Sequence, residues 1–159
     1  MDNTEIAARL AIQNLEGEYA RSWDTGDASA WANVFVEDGI FQMVAVGDRP
    51  DILVQGRENL QNFCSEFTQT VGGLHLMHQP AITVDGDSAE SWMHFEFRSM
   101  SATDQSSVMG IYLTSFKQTD SGWRMSHRRE QAVSRSKSSF FAIPDRNTVL
   151  NNCSGGESG

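Results

Sequence analysis

The sequence predicts a single α+β domain in which three helices pack against a strongly curved, mostly antiparallel sheet. Apolar residues recur at helical spacing early in the chain, whereas four β-like runs separated by turn signals follow one another later. The chain of 159 residues is long enough for one domain with its own core, and no internal repeat is visible. We assign residues 1–137 to the domain and residues 138–159 to a C-terminal tail whose Gly/Ser-rich end we expect to be disordered.

Two predicted helices open the chain. A long amphipathic helix covers residues 4–23, with Asn3 or Thr4 as its N-cap, and Gly26 can end it in the left-handed conformation. Asp27 can cap a short second helix over residues 28–35. These two residues therefore predict a tight turn between the helices.

The rest of the domain is predicted to hold one more helix and all of the strands. A strand over residues 40–46 leads into a polar loop, residues 47–55, and Gly56 then opens a third helix over residues 58–70. The later β-like runs cover residues 75–84, 88–100, 108–118 and 122–132. Asp-Gly and Asp-Ser-Gly turns after the first and third of these runs predict tight hairpins, and hence an antiparallel meander.

Charge and cysteine content narrow the classes of function. The net charge of −9 and the pI near 4.7, with scattered Lys and Arg, disfavour binding to nucleic acid or to an anionic membrane surface. Cys64 and Cys153 lie far apart, and no apolar run approaches the ~20 residues of a membrane span. The acidic N-terminus lacks the segments of a secretory signal, so we expect a cytoplasmic protein that needs neither a disulfide nor a metal to fold.

Four stretches, in their order and spacing, are typical of one family. They are AIQNLEGEYARSWDTGDASAWANVFVEDGIF, Gln55-Gly56-Arg57, HLMHQPAITVDGD and GIYLTSFKQTDSGWRMSHRR. Over about residues 5–132 the chain resembles the SnoaL-like branch of the nuclear transport factor 2 superfamily. The resemblance implies a cone-shaped, cystatin-like α+β barrel. It is strongest to the catalytic members typified by scytalone dehydratase, bile acid 7α-dehydratase and lindane dehydrochlorinase, which eliminate water or HCl without a cofactor.

The same resemblance implies the residues of a catalytic site. It places an Asp–His dyad at Asp24 and His75, with Tyr19 and Arg128 where the bile acid enzyme has a helix tyrosine and a late-strand arginine. His94 falls near the second histidine of scytalone dehydratase. Polyketide cyclases and dioxygenase small subunits share the fold, so the fold alone does not determine the reaction.

Residue chemistry agrees with a dyad but leaves its histidine open. His75 and His78 are three residues apart on a predicted strand, so alternation sends them to opposite faces and only one can face the cavity. The resemblance selects His75, and His78 remains the alternative. Asp24 ends a helix, where the dipole disfavours negative charge, so a partner cation would suit it better than open water. An imidazole can take and return a proton near neutrality.

Two strands raise questions of side-chain direction. The strand after residue 88 carries core residues on one face and Trp92 and His94 on the other, which would line the pocket or meet another subunit. In the last strand, alternation from Met125 would place His127 inward, whereas the resemblance selects Arg128. A β-bulge between these residues would reconcile the two.

Six further side chains are predicted to bind the substrate: Trp23, Phe41, Met77, His78, Trp92 and Tyr112. We predict no cofactor, and the four histidines have no metal-binding spacing such as HxH or HExxH. The polar-aromatic strand face predicts a homodimer or homotrimer.

The sequence therefore predicts a cofactor-independent lyase that acts by acid–base elimination on a small hydrophobic hydroxylated aromatic, polyketide or steroid-like compound. The same dyad could instead serve an isomerase, a cyclase or a deformylating lyase. A non-catalytic ligand-binding or subunit-interaction domain is the alternative from a different class, and it predicts that Asp24 and His75 do not touch.

Overall fold

The computed structural model describes residues 2–44, 50–99 and 106–137, with the backbone alone for residues 134–137. Its helices are α1 (Asn3–Thr25), α2 (Ala28–Asn33) and α3 (Arg57–Thr70). Its strands are β1 (Phe35–Met43), β2 (Ile52–Gln55), β3 (Gly73–Met77), β4 (Ala81–Asp85), β5 (Ser88–Ser99), β6 (Ser106–Thr119) and β7 (Gly122–Lys137). The predicted C-terminal tail and the start of the predicted polar loop lie outside the described residues.

The strands form one curved, mixed sheet against which the helices pack, which confirms the predicted α+β class. The strand order is β2-β1-β7-β6-β5-β3, and β4 also pairs with β5. Strands β5, β6 and β7 form the predicted antiparallel meander. Strand β1 pairs in parallel with β7, whereas the other described pairings are antiparallel.

The C-cap of α1 and the N-cap of α2 stabilise the turn between these two helices. Gly26 adopts the left-handed conformation with φ 74°, and the carboxylate of Asp27 accepts a hydrogen bond of 3.0 Å from the amide of Ala30, as predicted. The predicted N-cap of α1 was wrong, because the carboxylate of Asp2 accepts from the amide of Glu5 at 2.8 Å. Helix α1 therefore begins at Asn3, one residue earlier than predicted.

Long-range pairing moves two predicted boundaries. Helix α2 ends at Asn33 and not at residue 35, because the carbonyl of Val34 accepts a hydrogen bond from the amide of Met125 in β7. Phe35 consequently begins β1. The single strand predicted over residues 75–84 is two strands, β3 and β4, which pair with opposite ends of β5. The chain breaks between them around Pro80, which has no amide hydrogen to donate to a sheet ladder.

An aromatic cluster fills the space between the helices and the sheet. Trp31 is fully buried at its centre, with ring centroids 5.1 to 5.6 Å from those of Tyr19, Trp23, Phe35 and Phe41. Rings at these distances and tilts gain attraction beyond the burial of their area. The cluster anchors α1 and α2 to β1, and three of its rings, those of Tyr19, Trp23 and Phe41, also line the cavity described next.

Candidate functional site

A cavity of about 420 Å³ lies between the concave face of the sheet and helices α1 and α3. This volume falls within the range of small-molecule sites in proteins. Most of its wall is aromatic or aliphatic: Trp23, Phe41, Met43, Phe67, Val71, Phe95, Phe97 and Val108. The polar part of the wall consists of Tyr19, Thr70, His75, Ser99, Ser106, Tyr112 and Glu130. Apolar side chains therefore make up slightly more than half of the residues that line the cavity, and polar side chains make up the rest.

Asp24 and His75 meet at the edge of this cavity. Asp24 lies in the last turn of α1 and His75 lies on β3, and the Asp24 Oδ1 atom is 2.7 Å from the His75 Nδ1 atom. The amide of His75 also donates to Asp24 Oδ2 at 3.0 Å. Because a carboxylate only accepts, Nδ1 carries the proton and Nε2 of the neutral ring keeps its lone pair. The pair thus has the tautomer that a general base needs.

Aromatic rings hold the imidazole in place. The His75 ring centroid lies 4.9 Å from that of Phe97, 5.9 Å from that of Tyr19 and 6.2 Å from that of Trp23. The His75 side chain is 5% exposed and that of Asp24 is 13% exposed. A carboxylate–imidazole pair among apolar rings experiences a lower dielectric than it would in water, which strengthens their interaction.

A β-bulge in β7 decides which of its side chains face inward. Ser115 pairs with His127 and Phe116 pairs with Met125, so Ser126 is an extra residue on β7. Met125 before the bulge and Arg128 after it are both fully buried, whereas His127 is half-buried. The bulge reverses the alternation, as predicted, and points Arg128 and Glu130 to the same side as Met125.

Arg128 lies behind the cavity wall, not in it. Its guanidinium carbon is 4.0 Å from the ring centre of Tyr19 and 3.8 Å from that of Tyr112, so the two rings enclose the cation. Its Nη1 atom donates to Glu16 Oε2 at 2.6 Å and to Thr114 Oγ1 at 3.1 Å. Its Nε and Nη2 atoms have no hydrogen-bond partner among the described residues. Arg128 therefore does not line the cavity itself but lies directly against two residues that do, Tyr19 and Tyr112.

Burial controls the two tyrosine hydroxyls. Desolvation raises the pKa of Tyr19 well above its usual value, and the nearby Arg128 cation only partly opposes this. Desolvation likewise raises the pKa of Tyr112, with Tyr19 and Glu130 acting in the same direction. Both hydroxyls are therefore protonated near neutral pH, and the Tyr112 hydroxyl donates a hydrogen bond to that of Tyr19, which raises the pKa of Tyr112 and lowers that of Tyr19. The Tyr19 hydroxyl thus keeps its own proton to donate to a ligand.

The other predicted site residues divide between the two faces of the sheet. Trp23, Phe41 and Tyr112 line the cavity, whereas Met77 packs against the core without lining it. His94 and Trp92 lie exposed on the outer face of β5, with ring centroids 4.4 Å apart, and His78 lies exposed beside His94. Strand alternation places the side chains of β5 that carry this outer cluster on the face away from His75. The prediction that His78, His94 and Trp92 take part in the cavity was therefore wrong.

The sequence analysis did not identify two carboxylates at the site, the buried Glu16 and the cavity-lining Glu130. Glu16 follows the buried stripe of α1, one helical turn after Ile12 and one before Tyr19, so its helical phase was a usable signal for burial. Glu130 follows Arg128 by two residues, so a bulge that turns one inward turns the other inward as well. To use these signals, one must know which face of α1 packs against the core for Glu16, and where the partner strand places the bulge for Glu130.

Among residues 2–44, 50–99 and 106–137, no three His, Cys, Asp or Glu side chains come together as a group that could hold a metal ion. None of the described helices combines the length and the apolar character needed to cross a bilayer.

Known structures share this architecture. A protein of unknown function from Mycobacterium tuberculosis is 25% identical, with a TM-score of 0.75 over 94% of this chain and 88% of that one. An NTF2-like protein with a cystatin-like fold from Novosphingobium aromaticivorans is also 25% identical, with a TM-score of 0.67 over 84% of this chain and 91% of that one. Both likenesses agree with the predicted fold.

A hexachlorocyclohexane dehydrochlorinase, LinA type 2, is 15% identical, with a TM-score of 0.74 over 89% of this chain and 97% of that one, and this likeness concerns the fold. No protein of curated function matches the sequence. A family model, however, matches residues 4–129, which is most of the chain. The chain therefore belongs to the SnoaL-like domain family of the NTF2-like superfamily.

Proposed function

We propose that the protein is a cofactor-independent lyase that eliminates water from a small, largely apolar molecule by acid–base catalysis. The observation that carries this proposal is the 2.7 Å contact between Asp24 and His75 at the wall of an aromatic cavity. A buried carboxylate behind a histidine has a clear use in proton transfer, since it orients the ring and stabilises the imidazolium. A cavity that only binds an apolar ligand needs no such pair.

His75 is the base in the proposed reaction. Its Nε2 atom takes a proton from a carbon next to a carbonyl group, and Asp24 stabilises the positive charge that forms on the ring. The electrons of the broken C–H bond first form an enolate. Acid–base help of this kind contributes typically about 10² to 10⁴ in rate, and orientation in the cavity adds to it.

Tyr19 assists the leaving group in the second half of the reaction. The enolate expels the hydroxyl on the neighbouring carbon, which accepts a hydrogen bond from the Tyr19 hydroxyl and receives the proton held by His75. Water and an unsaturated ketone are the products, and His75 is neutral again. Arg128 is a positioning residue here, because its cation lies 4.0 Å from the Tyr19 ring and strengthens that hydroxyl as a donor.

The cavity restricts the substrate to a compact apolar compound. A volume of about 420 Å³ with mainly aromatic walls suits a hydroxylated ring system better than a long polar chain. An isomerase or a cyclase would use the same first proton transfer, so the leaving group distinguishes these reactions. The homodimer or homotrimer predicted from the outer strand face stays a prediction.

The proposal can be tested with bicyclic β-hydroxy ketones that become fluorescent naphthols when they lose water. We expect wild-type protein to accelerate the loss, and His75→Ala to reduce kcat/KM by roughly 10² to 10⁴. Asp24→Asn, which still offers an oxygen acceptor, should also reduce it while the fold is retained. His78→Ala is the matched control, because His78 is an exposed histidine on the opposite face.

Two results would contradict the proposal. If His75→Ala retained full activity, another group would be the base. If the wild-type protein accelerated none of the ketones, the non-catalytic binding domain would be the better explanation of the cavity.

A further inference from the structure

We propose that the outer face of β5, β6 and β7 is the interface of a two-fold homodimer, in which Trp92 of each chain packs against Arg129 of the partner subunit. The inference concerns the assembly of the protein. It goes beyond the proposed reaction and does not depend on it.

The outer side of β6 is apolar although it faces away from the core. Tyr112 and Thr114 are buried and point inward, so the residues that alternate with them, Met109, Ile111 and Leu113, point outward. Met109 is 52% exposed, and Ile111 and Leu113 are half-buried. A sheet face that meets water commonly carries polar residues at such positions. The apolar side of β6 therefore indicates that another surface covers it.

Large apolar side chains on the neighbouring strands extend this surface. Trp92 on β5 is 42% exposed, Leu76 on β3 is 43% exposed and Val133 on β7 is 63% exposed. Leu76 pairs with Glu96 of β5, which in turn pairs with Met109 of β6, so the patch crosses adjacent strands. Single exposed apolar residues are common on protein surfaces, whereas a contiguous patch is typical of an interface.

The strands on the two sides of β6 differ in chemistry. Trp92 of β5 pairs with Leu113 of β6, which pairs with Arg129 of β7, and the three residues form a row across the sheet. The rows before and after it along β5 are Glu90, Ser115 and His127, and His94, Ile111 and Gln131. Within the part of the chain that the structure describes, neither Glu90 nor Arg129 forms an ion pair. Each row therefore has an acidic or aromatic side chain at its β5 end and a cation or hydrogen-bond donor at its β7 end.

A two-fold axis that runs along β6 between two copies brings the unlike ends together. Rotation about this axis keeps each row at its level and exchanges its ends, so β5 of one chain lies over β7 of the other. Sheets that pack face to face keep their strand directions within about 30°, so the rows stay close to level. Trp92 then meets Arg129 of the partner subunit twice in the dimer, and a guanidinium over an indole ring gains cation–π attraction. The apolar side of β6 packs against the same strand of the second copy, which removes it from water.

The first test measures the oligomeric state of the full chain by sedimentation velocity at several concentrations. We expect wild-type protein to be a dimer. Ile111→Lys should be monomeric, because two ammonium groups would meet near the axis without a counter-charge. Leu10→Lys is the matched control and should stay dimeric, since Leu10 is 57% exposed on α1, on the other side of the sheet. Circular dichroism checks that each variant is folded.

Two exposed positions test how the copies are oriented. Arg129→Glu should raise the Kd of the dimer about tenfold or more, because Trp92 of the partner subunit loses its cation. Trp92→Arg should also raise it, because two cations would then face each other. The double variant with both substitutions should recover much of the affinity, since each new cation faces a new carboxylate across the interface. These surface variants decide the matter if Ile111→Lys does not fold.

Three results would overturn the inference. The first is wild-type protein that is monomeric or trimeric. The second is a folded Ile111→Lys variant that dimerises as tightly as the wild type. The third is a double variant that is no tighter than Arg129→Glu alone, which contradicts the meeting of β5 with β7. Dimerisation is measured without a substrate, so a failure of the lyase proposal leaves this test unaffected.

Discussion

The carboxylate of Glu16 lies 2.6 Å from the guanidinium of Arg128, and the two side chains are 4% and 0% exposed. Ser91 donates a second hydrogen bond to Glu16 at 3.2 Å, so the pair links α1 to both β5 and β7. It also holds the cation between Tyr19 and Tyr112. A structural ion pair in the core thereby sets the electrostatic environment of the site.

Removing one member of this pair should be costly. We expect Glu16→Ala to lower the free energy of unfolding by roughly 3 to 5 kcal/mol, because Arg128 would be left as an uncompensated buried charge. Urea denaturation measures the loss. Glu18→Ala is a suitable control, since Glu18 pairs with Arg21 on a solvent-exposed part of the same helix.

A double variant distinguishes charge from packing. Replacing both members by apolar residues, as Glu16→Leu with Arg128→Met, should recover much of the stability lost in Glu16→Ala, because no buried charge remains. A double variant that is less stable than the single one would show that the ring–cation stack matters more than the ion pair.

The tyrosines should titrate late. The chain has two tyrosines, and both line the cavity, so absorbance of tyrosinate reports on the site alone. Burial raises the pKa of each, so the folded protein should form no tyrosinate at pH values near the ordinary pKa of about 10. An unfolded control in denaturant should titrate at that ordinary value.

The same shift makes alkaline pH destabilising. Below a pH of about 10 the tyrosines are protonated in both the folded and the unfolded state, so they cause no loss of stability. Above it the unfolded state releases protons that the folded state retains, so stability should fall by up to about 1.4 kcal/mol per tyrosine and pH unit. Urea unfolding at several alkaline pH values measures the slope. A slope that persists in Tyr19→Phe with Tyr112→Phe would assign it to other groups.

Gly110 should tolerate no side chain. A Cβ atom at this position would lie 2.5 Å from the carbonyl oxygen of Gln131 and 2.6 Å from the ring of Phe95. That ring stacks on Tyr112 with centroids 4.0 Å apart. We therefore expect Gly110→Ala to lower the free energy of unfolding by about 1 to 3 kcal/mol and to weaken ligand binding.

The control for Gly110 predicts the opposite sign. Gly17 lies on the exposed side of α1 with nothing within 4 Å of an added Cβ. Gly17→Ala should raise stability by about 0.5 to 1 kcal/mol, since alanine favours the helix. Equal effects of the two substitutions in thermal unfolding would contradict the packing argument.

The hydrogen bond between Asp24 and His75 should be visible by NMR. The Nδ1 proton of His75 lies in a 2.7 Å contact with a carboxylate and is shielded from solvent, so it should give a downfield, slowly exchanging signal. Asp24→Ala should abolish the signal and lower stability by about 1 to 3 kcal/mol, because the ring and the amide of His75 lose their acceptor. Persistence of the signal in Asp24→Ala would assign the bond to a different acceptor.

Local signals were sufficient for much of the fold. Gly26 and Asp27 predicted the turn between α1 and α2, and the alternation around Met93 separated the buried and exposed faces of β5. These features depend on neighbours in the sequence, so the period of the pattern and the chemistry of the turn are enough to find them. Predicted boundaries were wrong where the backbone pairs with a distant strand, as at Val34, whose carbonyl accepts a hydrogen bond from Met125 of β7.

For the candidate site, too, some features could be predicted from the sequence and others could not. The sequence by itself placed Asp24 at the end of a helix and predicted that only one of His75 and His78 faces the cavity, and the family resemblance then selected the pair. Only the tertiary structure decided that Arg128 lies behind two tyrosine rings with Glu16, and that Glu130 reaches the cavity. The physical reason is the bulge at Ser126, because the extra residue is defined by pairing with another strand and it reverses every side chain that follows.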